Sequence, residues 1–302
     1  MSIIDAVLRG RGLKMEANLE VQGLWKAYKK SDFSLKDVTF SVPKGAIMGF
    51  IGENGAGKST TINCILNALI KDGGKVLLFG EEVSEDTIHT RDDIGVVFDT
   101  NAFASYLTPR NIATAMKPIY TNWDDALFID YLAKFKLPFK KKISTFSRGM
   151  TMKLGLAVAL AHRPKLLLLD EATGGLDPVV REEVLEIFLD FVQDENHSIL
   201  LSSHITSDLE KIADYITFIH EGEIILSELK DDLIYNYGLM RLKQAQFDEM
   251  DLEDIIAYRK RDHQVNVLVA DKKLVQKKYR DAVIDDISIE DIMLMIVKGE
   301  RP

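Results

Sequence analysis

Gly52-Glu53-Asn54-Gly55-Ala56-Gly57-Lys58-Ser59-Thr60 decides how this chain is read, because Gly, four residues, then Gly-Lys-Ser is the spacing of a loop that cradles phosphate. Its flanks fit: Ala46 to Ile51 is a short apolar run suited to a buried strand, and Thr61 to Leu69 has helical periodicity without Gly or Pro. Glycines let backbone N–H groups turn inward around phosphate oxygens, and the following helix aims its partially positive end at the same anion. Lys58 would reach the outer phosphates and the Ser59 hydroxyl would face Mg²⁺, a cation that prefers oxygen ligands. A plain glycine turn between strand and helix would need none of this spacing.

With 38 basic and 47 acidic residues among 302, the formal net charge is −9. That balance argues against general nucleic-acid binding, which relies on Lys and Arg against phosphates. One cysteine, Cys64, excludes an intramolecular disulfide framework and suits a reducing compartment; a small buried apolar residue is its simplest role. No stretch has the roughly 18 to 20 consecutive apolar residues that a bilayer crossing needs, so any membrane role is expected to run through a partner.

Residues 1–17 read as a leader or disordered arm. Ile3, Ile4, Val7 and Leu8 would suit a weak membrane-surface helix, while a second Met at position 15, directly before patterned sequence, suits an upstream start better. Leu19 to Val21 and Val38 to Val42 alternate as two antiparallel strands, with Tyr28 at the end of the first. Further strands are expected at Lys75 to Gly80 and Ile94 to Phe98. From about 100 to 163 the character is helical: Asn122, three residues before Asp125, is expected to cap one helix, and another begins at Ser147 and stops before Pro164. Leu166 to Leu169 is an unbroken apolar strand of the kind covered on both faces. Strands at Ser198 to Ser203, Tyr215 to His220 and Glu223 to Ser227 complete an α/β fold with a mostly parallel sheet. From 229 to 302 a small α+β appendage is expected, with Gln264 to Val269 as a strand and Ser288 and Asp291 boxing the start of a helix that runs through Val297.

Asp170 ends the apolar strand, where a carboxylate can hold Mg²⁺ beside the glycine loop. Glu171 follows it and points a second carboxylate toward the γ-phosphate, a pairing that suits hydrolysis, since phosphoryl transfer asks a protein mainly to place water in line and neutralise spreading charge. A helix cap or solvated turn is the other use for two acids at a strand end.

GENGAGKST, FSRGM at 146–150, LLLLDEATGGLDP at 166–178 and Ser202-Ser203-His204 follow the order and spacing of the ATP-binding cassette (ABC) ATPases, and over residues 18–228 the chain resembles that family. The resemblance implies a P-loop NTPase fold with an antiparallel β subdomain and a helical subdomain. It implies Mg²⁺-ATP as cofactor, ATP hydrolysis, and a head-to-tail dimer with two ATP molecules sandwiched between the glycine loop of one subunit and the signature segment of the other. Carried over residue by residue, it puts Tyr28 against adenine, Gly52, Asn54, Gly55, Ala56, Gly57, Lys58, Ser59 and Thr60 around the phosphates, and Ser147 and Gly149 on the partner's γ-phosphate. Asp177 falls in the loop crossing between sites, and His204 falls on the γ-phosphate, with Glu171 and Lys58 catalytic.

The signature departs from the usual Leu-Ser-Gly-Gly-Gln at Phe146, Arg148 and Met150, and Asp99 stands where a Mg²⁺-binding glutamine is usual. A carboxylate can replace an amide oxygen on Mg²⁺, so Asp99 joins Ser59 and Asp170 as a candidate ligand. These departures and the appendage resemble bacterial exporters in which separate ATPase subunits, at the cytoplasmic face of the membrane, drive integral-membrane permease partners for peptides, antibiotics or lipids. A soluble ATPase working on ribosomes or nucleic acid is the alternative; such relatives generally carry two cassettes or a long coiled-coil insertion. A non-catalytic nucleotide-binding regulator is a third, against which Glu171 argues.

Overall fold

The computed structural model describes residues 16–28, 33–84, 87–99, 103–261 and 264–301. The leader, with its surface-helix and upstream-start readings, lies outside the described residues apart from its last two positions. The chain forms two compact units, one ending at Ser227 and the other beginning at Glu228.

The first unit holds two sheets. β1 (Ala17–Ala27), β2 (Ser34–Pro43), β4 (Gly73–Leu78) and β5 (Glu81–Glu82) form a four-stranded antiparallel sheet in the order β2-β1-β4-β5. The second sheet, in the order β10-β9-β3-β8-β7-β6, is built from β3 (Ile47–Ile51), β6 (Ile94–Phe98), β7 (Leu166–Asp170), β8 (Ser198–Ser203), β9 (Tyr215–His220) and β10 (Glu223–Leu229). Its central pairings, β9-β3-β8-β7-β6, are parallel. Every residue of β3, β7 and β8 is buried, the physical reason β3 and the Leu166–Leu169 stretch of β7 are apolar without alternation, while the buried Ser198 and Ser202 of β8 bond to Pro43 and Asp170. One continuous core joins the two sheets, with the Phe40 and Phe50 rings stacked at 5.2 Å.

α1 (Lys58–Ile65) follows β3; α2 (Pro109–Met116), α3 (Asp125–Lys134) and α4 (Arg148–Leu160) lie between β6 and β7; α5 (Pro178–Phe191) and α6 (Thr206–Ile212) connect the later strands. α1 is shorter than the periodicity predicts, and residues 66–69 continue as turns in which Ala68 and Leu69 both bond the Asn63 carbonyl. The cap of α3 also differs from the expectation. Asp124, not Asn122, accepts from the Leu127 amide at 3.0 Å, and the Asp125 carboxylate is engaged by Lys117 and the Trp123 indole. An aspartate one residue before the first helical turn outcompetes an asparagine two residues further out, because only the nearer side chain reaches the open amides of that turn. Cys64 is buried, and burial pushes its thiol up to about 11.

The second unit follows β10 with α7 (Lys230–Asn236), β11 (Gly238–Leu242), α8 (Gln244–Asp248), β12 (Ala257–Arg261), β13 (Gln264–Val269), α9 (Lys272–Lys278), β14 (Ile284–Asp285) and α10 (Ile289–Lys298). Its sheet order β12-β13-β11-β14, all antiparallel, is a split β-α-β arrangement. Met240, Leu242, Val265, Val267 and Val269 form its core, and Ser288 caps α10 by accepting from the Asp291 amide at 3.1 Å. Among the described residues no helix is long and apolar enough to cross a membrane.

Candidate nucleotide site

β3 delivers the chain to the glycine loop, and Gly57 ends the loop as the residue before α1, with φ +117°. A Cβ there would fall 2.7 Å from a Leu35 methyl, so backbone conformation and packing both demand glycine. No side chain caps α1. The amides of its first turn are thus left for another acceptor, which is what an incoming phosphate needs.

Lys58, only 6% exposed, folds back so that Nζ donates to the Gly52 carbonyl at 2.7 Å and the Glu53 carbonyl at 3.3 Å. It also stands 3.2 Å from Glu171 Oε1. That contact is an ion pair without hydrogen-bond geometry, because Oε1 is buried and accepts no hydrogen bond. A buried carboxylate oxygen facing an ammonium across the mouth of a glycine loop is costly unless a further donor arrives. Glu171 Oε2 is held at 2.5 Å by His204 Nδ1, so carboxylate and imidazole form one unit.

The backbone of Glu171 is itself unusual: φ is +54°, in the left-handed region that a non-glycine residue rarely occupies. It is held there by its N–H, which donates to the carbonyl and hydroxyl oxygens of Ser202. The same Ser202 hydroxyl donates to Asp170 Oδ1 at 2.6 Å, and Asp170 and Ser202 are paired in register across β7 and β8. Ser202 thus orients both acids of the pair. Sequence reading counted it only as part of a motif, since the contact depends on strand register.

A cavity of about 500 Å³ opens beside the loop, lined by Tyr28, Phe33, Asn54, Lys58, Ser59 and Glu171 among others. The Tyr28 ring is partly exposed, 6.4 Å from the Phe33 ring, with its hydroxyl 3.5 Å from the Thr60 hydroxyl. Tyr28, Asn54, Gly55, Gly57, Lys58, Ser59, Thr60 and Glu171 all meet at this cavity, and Phe33 is an aromatic neighbour that the sequence reading missed. Ser59 lines the cavity, whereas Asp170 is buried just behind its lining, next to Glu171 and bonded to Ser202; these two are the oxygens available to a divalent cation, and the uncapped amides with Lys58 suit a polyphosphate. The residues fit Mg²⁺-ATP.

Ser147, Gly149 and Asp177 form a separate group. Ser147 caps α4 by accepting from the Met150 amide, Asp177 caps α5 by accepting from the Val180 amide, and a Cβ on Gly149 would be 3.0 Å from Val180. The helix ends they cap therefore pack together, away from the lining of the glycine-loop cavity. Asp99 also stands outside that lining: its carboxylate is bound by the Arg148 guanidinium. Sequence reading missed one further connection. Arg181 Nη2 donates to the Leu176 carbonyl at 3.1 Å, beside Asp177, while its Nε and Asp208 Oδ2, 3.9 Å apart, are both buried without a hydrogen bond.

The sequence pattern of the family described as "ABC transporter" matches residues 35–174. The lantibiotic transport ATP-binding protein SrtF of Streptococcus pyogenes is 35% identical over 218 residues, 70% of this chain and 91% of its own. The bacitracin transport ATP-binding protein BcrA of Bacillus licheniformis is 34% identical over 213 residues, 70% of this chain and 69% of its own. Among solved structures, one described as the ATP binding subunit of an ABC transporter superposes with a TM-score of 0.65 at 27% identity, covering 78% of this chain and 96% of that one. A dimeric ATP-binding cassette in a post-hydrolysis state, bound to ADP and Pi, shares the fold at a TM-score of 0.63 and 22% identity, covering 70% of this chain and 98% of that one. With the glycine loop, the Asp170-Glu171 pair and the signature segment in place, the chain belongs to the ABC transporter family, among its ATP-binding subunits.

Proposed function

We propose that this chain is the ATP-hydrolysing subunit of a membrane exporter, closing head-to-tail on a second such subunit when ATP binds and driving integral-membrane permease partners from the cytoplasmic face. The observation that carries this reading is the Glu171 carboxylate, with one oxygen held by His204 and the other buried without a hydrogen-bond donor at 3.2 Å from Lys58 Nζ. It is the acceptor that a water placed for in-line attack requires. Lys58 and the amides of Gly55, Ala56, Gly57 and Thr60 bind the phosphates, Gly52 and Asn54 shape the loop, and Tyr28 takes the base. Ser59 and Asp170 would hold Mg²⁺, which would supply charge to offset that of the phosphate oxygens. His204 fixes the rotamer of Glu171 and is the imidazole that would meet the γ-phosphate. Ser147, Gly149 and Asp177, grouped apart from the cavity, serve the nucleotide of the opposite subunit.

Export of a peptide, antibiotic or lipid is supported by the relatives, which are named for lantibiotic and bacitracin transport. Coexpression with the polytopic membrane protein encoded nearest to it tests the assignment. The chain is expected to sediment with membranes only when that partner is present, and to hydrolyse ATP. Robust ATPase activity with no membrane association under coexpression would transfer the chain to the soluble ATPases.

A further inference from the structure

Arg148, the first residue of α4, is engaged on two sides. Its guanidinium donates to Asp99, one residue beyond β6. Its flat face lies on the turn at Gly174 and Gly175. A Cβ on Gly175 would fall 2.8 Å from both Cζ and Nη1 of Arg148 and 3.2 Å from Nε, and Gly175 has φ +65°, so only glycine lets the guanidinium lie this close. A Cβ on Gly174 would be 3.8 Å from Arg148 Nη2 and 4.0 Å from Glu171 Oε2. The guanidinium therefore borders the segment that carries the Glu171 carboxylate. That segment is itself a tight turn, in which the Gly174 amide donates to the Glu171 carbonyl at 3.0 Å, and it ends at Asp177.

Both members of the ion pair are about half exposed, 53% for Arg148 and 45% for Asp99. Such a pair adds little to stability. What it fixes is the place of a planar, rigid group, and a guanidinium can rest flat on backbone where an ammonium cannot. The two residues are also the two charged departures from the family's usual residues, each supplying the charge the other needs.

We propose that Arg148, pinned by Asp99, is a positioning residue that supports the Glu171 to Asp177 turn from below and so sets the Glu171 carboxylate against Lys58 and His204; Asp99 acts through Arg148 and not on the metal. The inference rests on Glu171 being the water-orienting carboxylate, a reading tested separately by Glu171→Gln.

The test is steady-state ATPase kinetics of Asp99→Asn, Arg148→Gln, Arg148→Lys and the double variant Asp99→Asn/Arg148→Gln in the full chain, with ATP and Mg²⁺ titrated separately. Displacing a catalytic group by about an ångström costs roughly 10- to 100-fold. Each single variant is therefore expected to lose about 10-fold in kcat, with KM for ATP and the Mg²⁺ midpoint within about twofold of wild type. The double variant is expected to be no worse than Arg148→Gln alone, and Arg148→Lys to recover less than half the loss because it keeps charge and loses planarity. Raising ionic strength to about 1 M should lower kcat of the wild type by a larger factor than that of Asp99→Asn, so that the ratio between them shrinks. Unchanged KM reports that each variant is folded; should Arg148→Gln fail to fold, Asp99→Asn and the salt titration decide alone. A raised Mg²⁺ midpoint in Asp99→Asn would overturn the proposal and return Asp99 to the metal. A raised KM in Arg148→Gln with Asp99→Asn silent would give Arg148 to the nucleotide, and additive losses in the double variant would show no coupling. A wild-type rate in Glu171→Gln would remove the reading beneath it instead.

Discussion

Lys58 is held on the inner side of the glycine loop and is almost fully buried. Its ammonium rests on two loop carbonyls and one carboxylate, each a weaker claim than a triphosphate would make. Lys58→Ala is expected to weaken ATP binding itself by at least about 10-fold, since the ammonium compensates phosphate charge in the bound state as well as during reaction. Isothermal calorimetry with a non-hydrolysable analogue checks this, and an unchanged Kd would take Lys58 out of the phosphate contacts. The place of Lys58 at the loop was legible from spacing alone. The contacts of Asp99 were not: a lone acid after a strand has no local pattern to mark its partner, and Arg148 lies 49 positions away along the chain. Ser202 was hidden for the same reason, because its bond to Asp170 is made by strand register and not by sequence distance.

Among the elements, α4 and β6 are joined through a buried imidazole. His162 Nε2 lies 3.0 Å from the Ile94 carbonyl, and its ring stacks on Tyr120 with centroids 4.0 Å apart. Burial holds His162 below the usual histidine value of 6.5, against the opposing pull of the Ile94 and Val158 carbonyls. A folded value below the unfolded one means that protonation opposes folding. The contribution of His162 is therefore intact above about pH 6.5 and is lost as pH falls below it, at up to about 1.4 kcal/mol per pH unit. The stability difference between wild type and His162→Asn, read from denaturant midpoints, is expected to narrow between pH 7 and pH 5; a difference independent of pH would mean that the ring does not titrate with unfolding. In the second unit, Ser288→Ala removes the cap of α10 and is expected to cost about 1 kcal/mol in the unfolding of that unit, again by denaturant.

These elements also show where sequence pattern stops. Buried parallel strands such as β7 announce themselves as unbroken apolar runs, and β13 shows alternation because one face is covered. β12 ends in Arg259, Lys260 and Arg261 at the edge of its sheet, and β14 is two residues long. Neither has enough one-sided burial to leave a period in the sequence, so the appendage read as one strand and one helix where four strands are present.

On the scale of the whole molecule, the residues that meet at the glycine loop and those of the signature segment form two separate groups. Ser147, Gly149 and Asp177 stand outside the lining of that loop's cavity, as the proposed head-to-tail pairing with a second ATPase subunit requires. Under that proposal the subunit is expected to hydrolyse ATP slowly when alone and to gain its full site by dimerising. The central claim, that Glu171 orients the attacking water in a site completed by ATP-driven dimerisation, is tested most directly by Glu171→Gln. Glutamine keeps the shape and the contact with His204 while removing the charge that accepts the proton. Measured together, ATP binding, ATP turnover and solution mass with and without Mg²⁺-ATP are expected to show near-wild-type affinity, turnover lower by roughly 10²- to 10⁴-fold, and a shift from monomer to dimer that persists because the nucleotide is trapped. Turnover at the wild-type rate, or a monomer at saturating ATP, would contradict the account.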